Sequence, residues 1–444
     1  MAEVKAFAGL RFGSLPLADV IAPPYDVISP DQQDQLYARS PYNVVRLELG
    51  REPDRYAEAR RCFQEWRQAG VLRQDEPSLY VYEQRFYGGK VRRGLFGRVK
   101  LEPWSAGVIL PHEETLTKPK TDRLELLRAV KANVSPVFAL YEDPEKELAA
   151  MLASVSRRPP TSEAKDEAGE DHRLWQVSEG ELVSRISAFF AGQQLFIADG
   201  HHRYETALAY RDEQPPSPTA FAVRVGPGEG RGEGACSSTD HPHRTQPFGY
   251  VLAALVDFAD PGLAVLPTHR LVAGLSNATL RQLGDRLGQY FEVVAAAEES
   301  GPKAVDAALR QLATIEGPAY VLCGPKPGGL RVLALKPGRR SATFDESHSP
   351  AWNQLDVAVL HSVLGRILGL QAEDLASERY FSYTRDATFA VREVQRDEAQ
   401  MALLLRPTPA TAIRDVALAR DKMPQKSTYF YPKLATGLVI NPLQ

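Results

Sequence analysis

Two periods of hydrophobic recurrence run along this chain, and the switches between them outline a fold of mixed helix and strand. Tyr80 to Tyr87 and Leu95 to Leu101 are runs rich in aromatic and β-branched residues, separated by Gly88-Gly89, which predicts a hairpin. Arg55 to Ala69 has helical spacing and is closed by Gly70. Asp122, with Glu125 three residues on and Leu124, Leu127 and Val130 at helical intervals, predicts a capped helix reaching about Ala132. Val137 to Tyr141 and Leu195 to Ala198 predict short buried strands, the second followed by a turn and a helix from about Tyr204 to Arg211. Tyr250 to Phe258 and Leu263 to Val272 have ordered texture, and Ala304 to Ala313, Leu355 to Leu368 and Ala410 to Ala419 are further helical segments. The fold class expected is therefore mixed α/β (α+β).

Polar stretches punctuate this pattern. Ser154 to Asp171 is rich in proline, serine and charge and predicts a solvated connection. Gly226 to Pro247 alternates glycine with charge and predicts a loop or linker. A division near residue 240 follows, into 1–240 and 241–444. With 43% hydrophobic and 25% charged residues, the composition is that of a globular protein. A formal charge of −3 argues against a chain built to bind nucleic acid. Three scattered cysteines make neither a disulfide framework nor a cysteine zinc site, and suit a reducing compartment. Met1 to Leu17 lacks the apolar run of a secretory signal, and no stretch reaches eighteen consecutive apolar residues. The expected location is cytoplasmic, with no membrane partner.

Common motifs drop out in turn. The glycines from Gly226 do not fall in the register of a dinucleotide-binding turn. Lys426-Ser427-Thr428 matches the end of a phosphate-binding loop, but Met423-Pro424-Gln425 stands where its glycines belong. His112-Glu113 lacks the second histidine of a zinc-protease helix, and no G-x-S-x-G elbow exists. No flavin, NAD or haem is expected.

The strongest constellation is Ile197-Ala198-Asp199-Gly200-His201-His202-Arg203-Tyr204-Glu205. A strand delivers the chain into a tight turn where Gly200 allows a positive φ, and a helix starts at once. Helix N–H groups, the Arg203 fork and two histidines together suit a phosphate. The plainer alternative makes Asp199 a helix cap and the histidines surface groups; a metal set of Asp199, His201 and His202 is disfavoured by Arg203 beside it. Next comes Pro111-His112-Glu113-Glu114-Thr115 with Lys118, Lys120, Asp122 and Arg123 downstream, in which Glu113 could act as a general base and the cations could hold an anion. Ala22 to Ile28 presents Tyr25 and Asp26 from a loop stiffened by two prolines, or is simply a turn. Met423 to Lys433 places Lys426, Ser427 and Thr428 beside a short aromatic strand, as a pocket edge or a plain sheet edge. His269 and His361 are best read as core histidines.

Taken together, Ala22-Pro23-Pro24-Tyr25-Asp26-Val27-Ile28, His112-Glu113, Lys120-Thr121-Asp122-Arg123, Asn133-Val134-Ser135-Pro136, the run Ala198 to Ala207 and the run Met423 to Lys433 resemble the bacterial and archaeal family called domain of unknown function 1015. The likeness runs nearly end to end, from about Phe12 to Pro442, and the family name assigns no activity. The Asp-Gly-His-x-Arg turn is in addition similar to that of the ParB, sulfiredoxin and free serine kinase superfamily, which implies a core of that kind elaborated by further elements. The same resemblance implies phosphate held at a helix start, a glutamate that activates a hydroxyl, and serine or O-phosphoserine as the small partner, with ADP or ATP and Mg²⁺ as cofactors.

The expected function is phosphoryl transfer in small-molecule metabolism. Glu113, His201 and His202 are the catalytic candidates. Asp199, Gly200, Arg203, Lys120 and Arg123 are candidates for phosphate or nucleotide, and His112, Tyr25, Asp26, Lys426, Ser427 and Thr428 for substrate. The metal ligands are unassigned, with Asp199 and Asp122 as weak candidates for Mg²⁺. The competing expectations are a nucleotide-binding regulatory protein without catalysis and a metal-dependent hydrolase.

Overall fold

A computed structural model describes residues 1–115, 117–215, 246–324, 329–369 and 379–444. Most of the Gly226 to Pro247 linker, with Cys236, thus lies outside the described residues. The chain forms two compact units: Met1–Leu110, Thr115–Leu263 and Pro432–Gln444 make the first, and Pro111–Glu114 with Ala264–Tyr431 the second.

The first unit is built on a nine-stranded sheet. Its strands are β1 (Val4–Lys5), β2 (Leu79–Phe86), β3 (Lys90–Lys100), β4 (Ile109–Leu110), β5 (Val137–Tyr141), β6 (Ser162–Lys165), β7 (Asp171–Val177), β8 (Leu195–Asp199) and β9 (Tyr250–Asp257). The order is β4-β8-β5-β9-β3-β2-β7-β6, with β1 paired to β3. The β2–β3 hairpin turns where expected, through Gly88 and Gly89 at φ +71° and +72°, values that glycine adopts without steric cost. All five residues of β5 and all eight of β9 are buried, which is why those segments read as unbroken apolar runs. Because β9 pairs with β3 on one side and β5 on the other, it belongs to the first unit, although a division at residue 240 would assign it to the second.

Helices α1 (Arg55–Gln68), α2 (Thr117–Val130), α3 (Glu147–Val155), α4 (Gly180–Phe190) and α5 (His201–Glu213) accompany this sheet. Leu148, Leu152, Val155, Ile186 and Phe190 bury against Leu79, Val81, Leu95 and Leu255 in one core. Asp54 caps α1 by accepting from Ala57 N, and Gly70 follows its end at φ +69°. Asp122 is not a cap: α2 begins at Thr117, and the Asp122 carboxylate accepts from Arg55, Tyr56 and Arg123. The Ser154 to Asp171 segment is more than a connection, since β6 lies within it as an edge strand on β7.

The second unit carries a six-stranded antiparallel sheet. Its strands are β10 (His269–Val272), β11 (Phe291–Ala297), β12 (Ala319–Cys323), β13 (Leu330–Leu335), β14 (Phe381–Thr384) and β15 (Met401–Leu404), in the order β11-β13-β12-β15-β10-β14. Helices α7 (Pro302–Leu312), α8 (Asp356–Leu368) and α10 (Ala410–Leu418) follow the predicted helical periods closely, whereas α6 (Asn277–Tyr290) and α9 (Ala387–Gln395) were not expected from the sequence. Val305, Ala308 and Leu312 of α7 and Ala390 and Val391 of α9 share a core with Val321 and Leu404 of the sheet. His269 is buried within this unit, where its Nδ1 accepts from Leu405 N at 3.1 Å. Among the described residues no helix is long and apolar enough to cross a membrane.

Candidate functional site

In the first unit, the sheet delivers Asp199 to the start of α5. The β8–β5 ladder shifts register between Ile197 and Asp199, a bulge that re-aims the strand end. Gly200 then takes φ +87°, and a Cβ there would lie 2.9 Å from Arg203 Nε. Only glycine allows both the left-handed backbone and the fold-back of Arg203 over it. Arg203 Nη2 donates to Asp199 Oδ2 at 2.9 Å, its Nη1 donates to the carbonyl of Pro136, and Lys433 Nζ donates to Asp199 Oδ1 at 3.0 Å. Burial alone would raise the Asp199 carboxyl, but Lys433 and Arg203 outweigh it and hold the group well below the usual carboxylate range. Both oxygens are thus taken up by cations, and the Arg203 fork orders the turn itself.

α5 starts at His201, one turn earlier than its apolar spacing suggests, and Gly200 offers it no side-chain cap. Tyr204 anchors it: its hydroxyl accepts from Glu102 N at 3.0 Å and donates to Glu102 O at 2.9 Å, and its ring stacks on Trp104 at 4.6 Å. His201 is buried and His202 half-buried. Burial holds the His202 imidazole below its ordinary value, opposed by Glu205 and reinforced by Lys120, so the ring is neutral at pH 7. One helical turn on from His202, Glu205 accepts from Thr115 Oγ1 at 2.6 Å, Lys120 Nζ at 3.0 Å and Trp104 Nε1 at 3.3 Å. Burial would raise this carboxyl, but the Thr115 and Lys120 bonds more than offset it and keep it ionised.

Tyr25, Asp26 and Arg123 join the same neighbourhood. The Arg123 guanidinium lies 4.1 Å from the centroid of the Tyr25 ring, and burial pushes the Tyr25 phenol up to about 12. The Asp26 charge acts on both His202 and Arg203. Arg123 is buried and committed to Glu48 and Asp122. A cavity of about 50 Å³ beside Glu48, Arg123, Arg203 and Thr206 has room for water, not for a metabolite.

His112 and Glu113 belong to the second unit, where they meet the other predicted motif. Met423 N donates to His112 O at 2.8 Å, His112 Nε2 pairs with Thr428 Oγ1 at 3.1 Å, and Lys426 N donates to Glu113 Oε1 at 3.4 Å. The predicted residues therefore fall into two sets. Tyr25, Asp26, Lys120, Arg123, Asp199, Gly200, His201, His202 and Arg203 are in the first unit; His112, Glu113, Lys426, Ser427 and Thr428 are in the second.

Glu205 and Lys433 stand within motifs read from the sequence, but neither was given a role there. Glu205 shares a helix face with His202 at three-residue spacing, which was a usable signal. Lys433 closes the Met423 to Lys433 run but sits 234 positions from Asp199, and nothing local marks the pairing.

Among the described residues, the group of side chains placed to hold a metal ion is Asp166, Glu170 and His172, whose ligand atoms lie within 4.8 Å of one another. It closes on itself through His172 Nε2 to Asp166 Oδ2 at 3.1 Å, with Tyr82 on Nδ1 at 2.7 Å. Asp199, His201 and His202 form no such group. Asp122 and Asp199, the weak candidates for Mg²⁺, are both matched by side-chain cations.

The family model described as "Protein of unknown function (DUF1015)" matches residues 4–358. No curated protein shows a significant match. Similar solved structures include a conserved hypothetical protein from Pyrococcus furiosus, 13% identical over 78% of this chain and 93% of that one, with a TM-score of 0.33. A free serine kinase in complex with AMP is 13% identical over 77% and 88%, with a TM-score of 0.34. SbnI with C-terminal truncation from Staphylococcus aureus is 12% identical over 78% and 87%, with a TM-score of 0.33.

Proposed function

This chain belongs to that family of unknown function, and we propose from the site itself that it catalyses phosphoryl transfer between a nucleotide and the hydroxyl of a small metabolite, interconverting serine and O-phosphoserine in the first instance. The observation that carries the reading is the start of α5: a helix N-terminus entered through a left-handed glycine, with neutral His202 in its first turn and Lys120 beside it.

ADP or ATP with Mg²⁺ would supply the phosphoryl group. The first-turn N–H groups of α5 and the Lys120 ammonium hold its oxygens, while Arg203, Lys433 and Asp199 keep the turn in shape. In the transfer, the substrate hydroxyl oxygen forms a bond to phosphorus as the bridging P–O bond breaks and the shortened nucleotide leaves. The hydroxyl proton passes to the His202 imidazole. Glu205 orients Lys120 and offsets the charge that His202 gains. Such catalysis rests on positioning and electrostatics, which these residues can provide.

The test follows phosphorus by NMR while the purified chain is incubated with O-phosphoserine, with and without ADP and Mg²⁺, and in reverse with serine and ATP. The expected outcome is interconversion, reduced at least about 100-fold in His202→Gln, as for the loss of a general base. Nucleotide binding without turnover in any combination would favour a regulatory role. Turnover that survives Glu205→Gln and His202→Gln but is lost in Glu113→Gln would overturn the assignment of the proton acceptor.

A further inference from the structure

The second unit contains a cavity of about 670 Å³, within the range of small-molecule sites. Thr268, Arg270, Asp356, Arg406, Thr408 and Ser427 are among its lining residues. Its two guanidiniums differ, Arg270 buried and Arg406 half-buried. Arg406 is matched by Asp356, to which it donates from Nε at 2.8 Å and Nη2 at 2.7 Å. Arg270 is 1% exposed, and no described carboxylate pairs with it. Its Nη1 donates to the carbonyl of Thr268, its Nη2 donates to Lys426 O at 3.2 Å, and its Nε has no hydrogen-bond partner.

A buried, unmatched guanidinium is costly, and carbonyl dipoles with the Tyr383 ring at 5.6 Å do not replace a counter-charge. The strain shows in the local acidities: burial drags Arg270 down to about 10, and burial together with Arg270 holds His361 down at about 3. Two further features add positive potential at the same cavity. Arg340 stands exposed at its rim, and Pro409, Thr411 and Ala412 bring the N-terminal end of α10 to its wall. Asp415, the other acid on the wall, is paired with Arg414.

We propose that this cavity is a ligand site of the second unit, taking a small organic anion whose carboxylate or phosphate group supplies the counter-charge that no described residue gives Arg270. The Thr268 hydroxyl would meet the polar remainder of the ligand, and those of Thr408 and Ser427, which donate to Ser427 O and Pro424 O, would accept from it. The site is independent of the phosphoryl-transfer reading, since every residue named here lies in the second unit.

The test measures the melting temperature of the full chain against inorganic phosphate, glycerol 3-phosphate, succinate and citrate, with affinities from calorimetry. A phosphate-only or carboxylate-only response identifies the head group. The expected result is a rise in melting temperature with at least one probe, as for any ligand that binds only the folded chain. Arg270→Met abolishes that rise, while its own melting temperature without a probe exceeds that of the parent. Lys120→Met removes any phosphate response of the first unit's site, so a rise that persists in this variant and is lost when Arg270→Met is added belongs to the cavity, and failure of the first site leaves this result standing. Should Arg270→Met not fold, Arg340→Ala at the exposed rim carries the test, with affinity weakened about fivefold. No rise with any probe, or a rise undiminished in these two cavity variants, overturns the proposal.

Discussion

At Gly200 the backbone angle and the neighbouring side chain impose the same residue. A methyl group there would be strained at φ +87° and would press on the Arg203 guanidinium at 2.9 Å. Gly200→Ala is expected to cost about 2 kcal/mol, read from the urea midpoint, and to weaken the proposed nucleotide binding in the same protein. Asp199→Asn leaves Arg203 and Lys433 without their shared carboxylate, at an expected cost of about 3 kcal/mol. Adding Lys433→Met should recover part of that loss, and strict additivity of the two changes would show the ion pair to be energetically idle. The sequence made Gly200 legible because a strand, a glycine and a helix start form a local pattern. The partner of Asp199 was not legible, because the pairing with Lys433 is made by the tertiary fold.

At the scale of elements, α5 is fixed by what Tyr204 reaches. Tyr204→Phe keeps the Trp104 stack but strips Glu102 N and O of their hydroxyl partner, for an expected loss of about 1–2 kcal/mol in chemical denaturation. A loss below about 0.3 kcal/mol would mean that the bonds to Glu102 are replaced by water. Element existence was largely legible here: the β2–β3 hairpin, α1, α7, α8 and α10 follow their periods, while α6 and α9 were missed. Starts of helices were not legible. His201 and His202 are weak evidence for helix on propensity and follow a glycine, so α5 was expected only from Tyr204. Asp122 and Glu125 have the spacing of a capping box, but three-residue spacing also occurs inside any helix, and α2 had already begun at Thr117.

Across the whole molecule, two neutral histidines, buried His269 and half-buried His361, contribute to the response to acid. In the second unit burial lowers His269 to about 4 and His361 to about 3, against an ordinary 6.5. Between pH 6.5 and 4 the unfolded chain binds these two protons and the folded chain does not, so stability rises with pH through that window. At pH 5 each histidine should cost about 2 kcal/mol relative to pH 7, and His361→Leu should flatten part of the slope of denaturation midpoint against pH. A slope unchanged in His361→Leu would show that the ring is protonated in the folded chain. The two-unit organisation itself was only partly legible: a polar, glycine-rich run drew the boundary toward residue 240, whereas backbone pairing of β9 with β3 and β5 carries the first unit on to Leu263.

The return of Pro432–Gln444 to the first unit has a consequence for how the protein is made. Asn441 pairs with Asn133, Ile440 exchanges backbone hydrogen bonds with Leu10, and Pro432 O accepts from buried Arg92. Synthesis runs from the amino end, so Asp199 and Arg203 leave the ribosome long before Lys433 exists. The nascent first unit waits, unfinished, through the whole translation of Ala264–Tyr431. A message cut short anywhere in that stretch would yield a turn without its lysine and a sheet without its closing strap.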